Sequence, residues 1–550
     1  MVNFIKNNKK EIIAFFILII ASCLYVFLSN DFYYKGDDLA YHLNRLQGIS
    51  EAFKDGQIIP RIYPSINYGF GYGSALFYCD FFLYPFVLLN LIGVSILNVY
   101  KIIVVFYTAV AIILSMYFSK KVFKSSFSSI FCACLFTLSN YRLYDVYNRA
   151  ALGEFIVISF IPFILYSIYQ TLVLKEDNYI NLALAFSSLV LSHLISSVLF
   201  GVIFFIFIII FIVCNLKNKE ILLKVIKTII KATILAIAIC SWFLLPMLEQ
   251  IRSQDFYCFS FDNSFDVYPR VEQLNNLINP INGLNIFDIT LLVFSFAYIF
   301  TKKNKVISII FISSIVLFLI MIGFIPLTHH INFIQFMFRL NIIIYPLLII
   351  IVLYICKEKP KLKVCYYLLL VLTFINLFSK YNILFNDTEK IIKVDELGHY
   401  LVYDDEKFYY NRRQICGGEY LPVCDNADYY NGEKNIILED KLGYRVGIMN
   451  DFDRSYTHIS FSYDGEAEFV SLPLTYYKGY TVLCDNKKIQ CIDDFLFKRV
   501  GFYLQPGLHN YSVHYGGTLV QYASCALSIL SFVFVSIRLF YKRKLTKNHI

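Results

Sequence analysis

The sequence predicts a mainly α-helical polytopic membrane protein with about 12 transmembrane helices and a β-rich, sandwich-like domain outside the membrane. Three observations predict this class. Of the 550 residues, 58% are hydrophobic and only 16% are charged, apolar runs of membrane-spanning length recur, and one long polar segment interrupts them. This balance argues against a soluble cytosolic enzyme, and it excludes a disordered chain, a collagen-like fibre and a disulfide-rich miniprotein.

The apolar runs define the predicted spans, because each approaches the length that a bilayer core requires. The first run follows a basic stretch and lacks a small-residue cleavage site, so we interpret it as a retained span and not as a signal peptide. The spans lie at about 11–29, 100–118, 125–140, 154–173, 180–197, 198–214, 228–247, 286–301, 306–325, 337–356, 363–380 and 518–540.

The segment 76–97 is apolar enough to span, but the distribution of basic residues argues against it. All the basic stubs between spans fall on the cytoplasmic side only if this segment stays in the outer interface. Its internal Asp80 and Pro85 suit an interfacial or re-entrant helix. We therefore predict a multi-pass protein of the cell membrane with both termini cytoplasmic and residues 381–517 extracytoplasmic.

This topology divides the chain into three parts. Residues 1–380 form a transmembrane module whose first outer loop covers 30–99, and residues 518–550 form the last transmembrane helix and a basic cytoplasmic tail. Residues 381–517 are long enough for a domain of their own. Their alternating runs, separated by Asp-Asn and Pro-Gly turns, predict a β-sandwich.

Two cysteines of the outer domain, Cys484 and Cys491, flank the turn-forming pair Asp485-Asn486. A disulfide across this hairpin and two free thiols are both open interpretations. No CxxC motif or paired histidines accompany them, so the spacing does not indicate a zinc site.

The net charge of +9 is modest, and the basic residues sit in short stubs between apolar runs. Such stubs set topology and bind the headgroups of membrane lipids, so we expect no nucleic-acid partner. Motifs for ATP-driven transport, serine hydrolases, zinc peptidases and dinucleotide binding are absent from the sequence.

The first polar cluster lies in the first outer loop, where Asp38, His42 and Arg45 follow at i, i+4 and i+7. A helix would present them along one stripe. A carboxylate, an imidazole and a guanidinium together accept a proton from a hydroxyl and hold a phosphate. The alternative is a solvated, self-paired helix end.

Further polar residues stand at the outer ends of other spans. Glu154 needs a wet or paired environment, which a substrate cavity or simply Arg149 would supply. Arg339, four residues after Gln335, suits either an interfacial anchor or a cation for a lipid-linked phosphate. His193 suits either packing or ligand binding.

Taken in order, the motifs resemble those of bacterial YfhO-like membrane proteins and of relatives described as 6-pyruvoyl-tetrahydropterin-synthase-related membrane proteins. The similarity covers nearly the whole chain, and the ordered series is more specific than any one motif. The motifs are DDLAYHLNR (37–45), YRLYDVYNR (141–149) with Glu154, SHL (192–194), WFLLP (242–246), QFMFR (335–339), GEYLP (418–422) and LTYYKGY (474–480).

The resemblance implies membership of the GT-C glycosyltransferase superfamily. It implies an enzyme that transfers a sugar from a polyprenyl-phosphate-linked donor to an envelope glycopolymer or lipid, for example in teichoic acid glycosylation. The first-loop pattern Asp-Leu-x-x-His-Leu-x-Arg assigns the base to Asp38 and leaves the role of Asp37 open.

The expected site therefore follows from both the residues and the resemblance. No cofactor is expected to be required and no metal ligands are assigned, although a divalent cation is possible. The alternatives are a lipid-linked sugar transporter or flippase and a non-catalytic envelope-assembly protein. The expected catalytic residues are Asp38, Asp37 and His42, and the expected substrate-binding residues are Arg45, Arg149, Glu154, His193, Gln335 and Arg339.

Overall fold

A computed structural model gives the fold. It describes residues 8–29, 32–34, 36–260, 286–325, 334–386, 391–394, 400–404, 407–410, 418–424, 434–440, 444–494 and 497–547. The chain divides into two compact units. The helical unit comprises Met1–Leu39, Tyr100–Ile234 and Asn263–Tyr410, and the sandwich unit comprises Ala40–Val99, Leu235–Asp262 and Asn411–Ile550.

Long apolar helices dominate the described residues, as the hydrophobic runs predict. Short 3₁₀ or π turns extend several of them. The helices of eight or more residues are α1 (Lys9–Leu28), α2 (Leu39–Lys54), α3 (Tyr84–Leu91), α4 (Ile96–Phe123), α5 (Ser126–Thr137), α6 (Leu152–Leu172), α7 (Tyr179–Val190), α8 (Leu194–Asn215), α9 (Lys219–Ile251), α10 (Ile286–Ser295), α11 (Lys305–Met321), α12 (Asn341–Glu358), α13 (Lys363–Asn386) and α14 (Leu519–Lys547).

Eight helices in the described part of the chain are long and apolar enough to cross a membrane, namely α1, α4, α6, α8, α9, α12, α13 and α14. Shorter apolar helices occupy the other four predicted spans: α5, α7, α10 with its 3₁₀ extension, and α11. A 12-residue helix such as α5 is about 18 Å long, against a hydrocarbon core of about 30 Å. The polytopic class is confirmed, with full-length helices at eight of the predicted positions.

The segment 76–97 does not form a spanning helix, as predicted. Its only complete helix is α3, whose 8 residues rise about 12 Å. Pro85 stands in the first turn of α3, where its missing N–H is not needed.

The predicted boundary between the spans 180–197 and 198–214 is wrong. The helix α7 already ends at Val190, and α8 begins at Leu194. His193 has an extended backbone (φ −155°), and its Nδ1 accepts a hydrogen bond from the Ser196 N–H at 3.4 Å. The side chain thus caps α8, and a capping residue interrupts a helix regardless of the surrounding hydrophobicity.

In the helical unit, a four-stranded antiparallel sheet joins distant parts of the chain. Its strand β1 (Phe32–Tyr34) precedes the first polar cluster and pairs with β2 (Ile391–Val394). The order continues to β3 (Tyr400–Asp404) and β4 (Lys407–Tyr410). The sheet therefore anchors the chain immediately before Asp37.

The sandwich unit contains the β-rich domain that the sequence predicts. Two antiparallel sheets have the orders β11-β10-β14-β8-β7 and β12-β13-β9-β5-β6. Alternate residues of both sheets form one hydrophobic core, including Phe461, Leu472, Val482 and Phe502. The strands are β5 (Ile436–Glu439), β6 (Arg445–Met449), β7 (Asp453–Ser455), β8 (His458–Tyr463), β9 (Phe469–Thr475), β10 (Tyr480–Cys484), β11 (Lys487–Ile489), β12 (Ile492–Asp493), β13 (Arg499–Tyr503) and β14 (His509–Tyr515).

The sandwich register rules out one of the two cysteine interpretations. Cys484 pairs with Lys487, and Val482 pairs with Ile489, so Cys491 lies beyond the other end of the hairpin. At about 3.3 Å per residue, this offset exceeds the Cα separation of about 7 Å that a disulfide permits. Both cysteines are free thiols.

Candidate functional site

The Asp37-Asp38 pair is fixed to the turn that precedes α6. Residues Tyr144–Arg149 form a π-helical turn, which ends at Ala150 in the left-handed region (φ +54°). The Asp37 N–H donates to the Asn148 carbonyl at 3.0 Å, and the Asp38 N–H donates to the Arg149 carbonyl at 2.8 Å. These two bonds bring the Asp37-Asp38 pair next to the turn that carries Arg149.

The approach of these two segments requires a glycine. A Cβ atom on Gly36 would lie 2.7 Å from the Ala150 Cβ and 3.0 Å from the Asn148 carbonyl oxygen. Both contacts are with backbone or near-backbone atoms that do not move easily. Gly36 is therefore the residue that permits the close contact.

Glu154, in the first turn of α6, is the centre of a buried ionic cluster. Its Oε2 accepts from Arg149 Nη1 at 2.8 Å and from Arg339 Nε at 2.9 Å. Its Oε1 accepts from the Tyr141 hydroxyl. All four residues are at most 5% exposed. Such a buried carboxylate is tolerated because two cations and a hydroxyl replace its water.

Asp145 enlarges this cluster. Its Oδ1 accepts from Arg149 Nη1 at 2.7 Å, so one guanidinium nitrogen serves two carboxylates. Burial raises the pKa of Asp145 well above its ordinary value, and the neighbouring Glu154 charge adds to this effect. The nearby arginines oppose it.

The segment before α12 positions Arg339. Gln335 adopts a left-handed backbone (φ +66°), and its Oε1 accepts from Arg339 Nη1 at 2.9 Å. The same Nη1 donates to the Ile334 carbonyl at 2.6 Å. The rings of Phe336 and Phe338 stack with 5.2 Å between their centroids. The Phe336 centroid lies within 6 Å of Cζ of both arginines, and the Phe338 centroid lies within 6 Å of Cζ of Arg149.

Both arginines keep N–H groups for a further anion. Arg149 uses only Nη1 in its ion pairs, and Arg339 uses Nε and Nη1. Among the described residues, no acceptor contacts Nε or Nη2 of Arg149 or Nη2 of Arg339. Carboxylates and phosphates are the anions whose geometry suits such groups.

Asp38 differs from the other acids because its carboxylate makes no hydrogen bond or ion pair within the described part of the chain. The side chain is half-buried, whereas Asp37 is exposed. Burial raises the pKa of Asp38, Arg149 and Arg339 oppose this shift, and Asp37 and Glu154 add to it. A carboxylate with a raised pKa is a stronger proton acceptor.

The other predicted members of the first cluster have contacts within the sandwich unit. The helix α2 begins at Leu39, so Asp38 immediately precedes its first residue, and the Asp38 N–H donates to the Arg149 carbonyl. Arg45 Nε forms a buried 2.6 Å ion pair with Asp80, which also accepts from the Tyr63 hydroxyl. His42 is buried with its ring 5.0 Å from that of Tyr41.

Lys380 is a buried residue of the site region that the sequence analysis missed. It is 3% exposed near the end of α13, and its Nζ lies 3.3 Å from Asn148 Oδ1 and 5.3 Å from the Tyr144 ring centroid. A lysine at the end of an apolar run is the signal that could have found it. His329, His330 and Cys416 lie outside the described residues.

An apolar cavity of about 640 Å³ lies among helices of the helical unit. Its lining begins at Ile161 on α6 and at Pro346 on α12. Each is seven residues beyond Glu154 or Arg339, or about 10 Å along the helix axis. Half of the lining residues are Phe, Ile or Leu, with contributions from α4, α8 and α11, and Lys175, Lys305 and Lys357 also line the cavity. This volume is in the range of small-molecule sites, and the lining suits hydrocarbon.

Two sequence comparisons complement this geometry. A protein of Lactococcus lactis subsp. cremoris (strain MG1363), titled "Uncharacterized protein", is 24% identical over 257 residues. The match covers 46% of this chain and 41% of that protein. Residues 76–386 match a family described as "6-pyruvoyl-tetrahydropterin synthase related domain; membrane protein". This match includes more than half of the chain, together with Glu154, Arg149, Gln335 and Arg339. The chain therefore belongs to this family of 6-pyruvoyl-tetrahydropterin-synthase-related membrane proteins.

Proposed function

We propose that the protein is an integral membrane glycosyltransferase. It transfers a sugar from a polyprenyl-phosphate-linked donor to an envelope polymer or lipid on the extracytoplasmic face, with Asp38 as the general base. The observation that carries this proposal is the hydrogen bond from the Asp38 N–H to the Arg149 carbonyl, since it brings a half-buried carboxylate beside the Arg149–Glu154–Arg339 cluster.

The chemistry uses the difference between the acids. Glu154 forms ion pairs with Arg149 and Arg339, and Asp145 forms one with Arg149, so these acids hold the two arginines in position. The Asp38 carboxylate accepts the proton of the acceptor hydroxyl while the hydroxyl oxygen attacks the anomeric carbon of the donor sugar. The bond from that carbon to the phosphate oxygen breaks, and the lipid phosphate leaves. One displacement of this kind inverts the anomeric centre.

The remaining N–H groups of Arg149 and Arg339 would bind the phosphate. Donors already held in place stabilise the charge that grows on the leaving group, without the cost of reorienting. The apolar cavity along α6 and α12 would hold the hydrocarbon of the donor. An apolar cavity whose lining begins about two helical turns from these donors supports a lipid-linked donor over a water-soluble nucleotide sugar.

The proposal is tested with membranes that contain the full chain and a radiolabelled polyprenyl-phosphate sugar. Transfer of label to polymer or lipid is expected, and Asp38→Asn should lower it by about 10²-fold or more, the range typical of a lost general base. The matched controls are Asp37→Asn, its exposed neighbour, and Asp177→Asn, a surface acid paired with Lys231 at 3.1 Å.

Other outcomes reject the assignment in distinct ways. Movement of the labelled lipid across the membrane without transfer would identify a flippase, and neither movement nor transfer would favour an envelope-assembly role. Full transfer by Asp38→Asn, with loss in Asp37→Asn, would move the base to Asp37. A parallel assay with a metal chelator separates metal-free transfer, which we expect, from transfer that depends on a divalent cation.

A further inference from the structure

Three metal-ligand side chains converge at one end of the β-sandwich, far in sequence from the cluster around Glu154. Cys484 ends β10, Asp485 opens the turn to β11, and His509 begins β14. The Sγ, carboxylate oxygen and imidazole nitrogen lie within 4.8 Å of one another. The β10–β14 register pairs Cys484 with Tyr511, and this pairing brings His509 beside the turn.

The turn holds Asp485 in a fixed orientation. Asp485 and Asn486 both have a positive φ, +47° and +66°, as a tight two-residue hairpin turn requires. The Asp485 N–H donates to the Asn510 carbonyl, and its Oδ1 accepts the Asn510 N–H, both at 2.9 Å. Its Oδ2 lies 2.6 Å from His509 Nδ1. The carboxylate is therefore oriented by backbone before any ion binds.

The contacts of the two ring nitrogens of His509 indicate which of them can bind a metal. Nε2 lies 3.0 Å from the Pro506 carbonyl oxygen, which only accepts, so Nε2 carries the hydrogen. Nδ1 lies 2.6 Å from Oδ2 of the Asp485 carboxylate, which also only accepts, so Nδ1 becomes a metal ligand once it gives up this shared hydrogen. A ring N–H donated to a backbone carbonyl is the usual support of a metal-bound histidine.

We propose that Cys484, Asp485 and His509 bind a zinc ion, with water or an external ligand in the fourth position. A thiolate with an imidazole and one carboxylate is a donor set that suits Zn²⁺ and not Ca²⁺ or Mg²⁺, which prefer oxygen ligands alone. Binding releases the Cys484 thiol proton and the proton between His509 and Asp485. The ligands come from sandwich strands that the sugar-transfer proposal does not use, so this inference is independent of it.

The test uses the full-length protein in detergent, stripped with a chelator and titrated with Co²⁺ as a probe for Zn²⁺. One equivalent should produce a thiolate-to-cobalt charge-transfer band that excess Zn²⁺ removes. Cys484→Ser should abolish the band, and His509→Ala and Asp485→Asn should each weaken Co²⁺ binding by at least about tenfold. Cys491→Ser and His458→Ala, which alter the same domain outside the proposed site, should bind as the original chain does.

A second readout guards against misfolded variants. Zn²⁺ should raise the thermal midpoint of the original chain and of Cys491→Ser, and leave that of His509→Ala unchanged, because only a folded site links binding to stability. Asp485→Asn preserves an acceptor for the Asn510 N–H, so this variant should still fold. Weakened Co²⁺ binding by the folded variant would support the site. A band that persists in Cys484→Ser, or no band at one equivalent, would overturn the proposal.

Discussion

Among the acidic residues of the site, Glu154 and Asp145 are paired with arginines, whereas Asp38 pairs with none that the structure describes. Glu154 is held by two arginines and a tyrosine, and Asp145 by Arg149. Asp38 is brought to the same cluster by its backbone, and its carboxylate stays without a bonded partner among the described residues. A carboxylate positioned this way combines proximity to positive charge with freedom to accept a proton.

The raised pKa of Asp38 predicts a pH dependence with a definite sign. The base must be ionised, so transfer should fall as the pH drops through the Asp38 pKa, and this acidic limb should lie above the ordinary value for Asp. The measurement is the pH profile of kcat/KM for sugar transfer. A limb at or below the ordinary value would contradict the assignment of Asp38 as the base.

The same shift predicts that Asp38 has a cost in stability. For an acid whose folded pKa lies above the unfolded one, the favourable contribution is full below the unfolded pKa and disappears as the pH rises through the folded pKa. At neutral pH the ionised Asp38 is therefore unfavourable, and Asp38→Asn should unfold at the same temperature as the original chain or higher. A clearly lower midpoint would indicate a structural role instead.

Glu154 should behave in the opposite way. Glu154→Gln keeps the shape of the side chain but removes the buried negative charge that Arg149 and Arg339 share. The free energy of unfolding in detergent should therefore fall by about 3–5 kcal/mol. The control Asp177→Asn removes an exposed partner of Lys231 and should change stability by no more than about 1 kcal/mol. Equal effects of the two substitutions would mean that the buried cluster is not a unit.

At the scale of elements, the contact between the chain after β1 and the π turn before α6 decides the site. Gly36→Ala would introduce a Cβ 2.7 Å from that of Ala150, so we expect it to displace Asp38 and lower transfer, while the fold persists. Gly201→Ala, on α8, meets nothing within 4 Å and should leave transfer intact. Transfer by Gly36→Ala at the original rate would show that this contact does not position the base.

Helix and strand patterns in the sequence predicted most elements, because hydrophobic periodicity is a local signal. The failures have local causes too. His193 caps α8, because a polar side chain that bonds a backbone N–H overrides hydrophobicity at a helix end. The disulfide alternative fails because the hairpin register, which the spacing of Cys484 and Cys491 does not reveal, separates them.

At the scale of the whole molecule, the predicted topology has both termini in the cytoplasm and residues 381–517 outside. An epitope tag inserted after Asn450, in the exposed connection between β6 and β7, should bind antibody on intact cells. A tag after Lys217, in the short connection between α8 and α9, should bind only after permeabilisation. The reverse pattern would invert the topology and remove the extracytoplasmic assignment of the sandwich.

The amino-acid pattern was enough to predict the class of the protein, most of the apolar helices, the β-rich domain and the short set of polar residues from which a site must be built. The pairings within that set depend on how the chain folds. Arg339 meets Glu154 across 185 residues, whereas Arg45 is engaged by Asp80, and Lys380 was not anticipated. Apolar residues that become buried recur with a period that is visible in a short stretch of sequence, whereas the partner of a buried charge can come from any part of the folded chain.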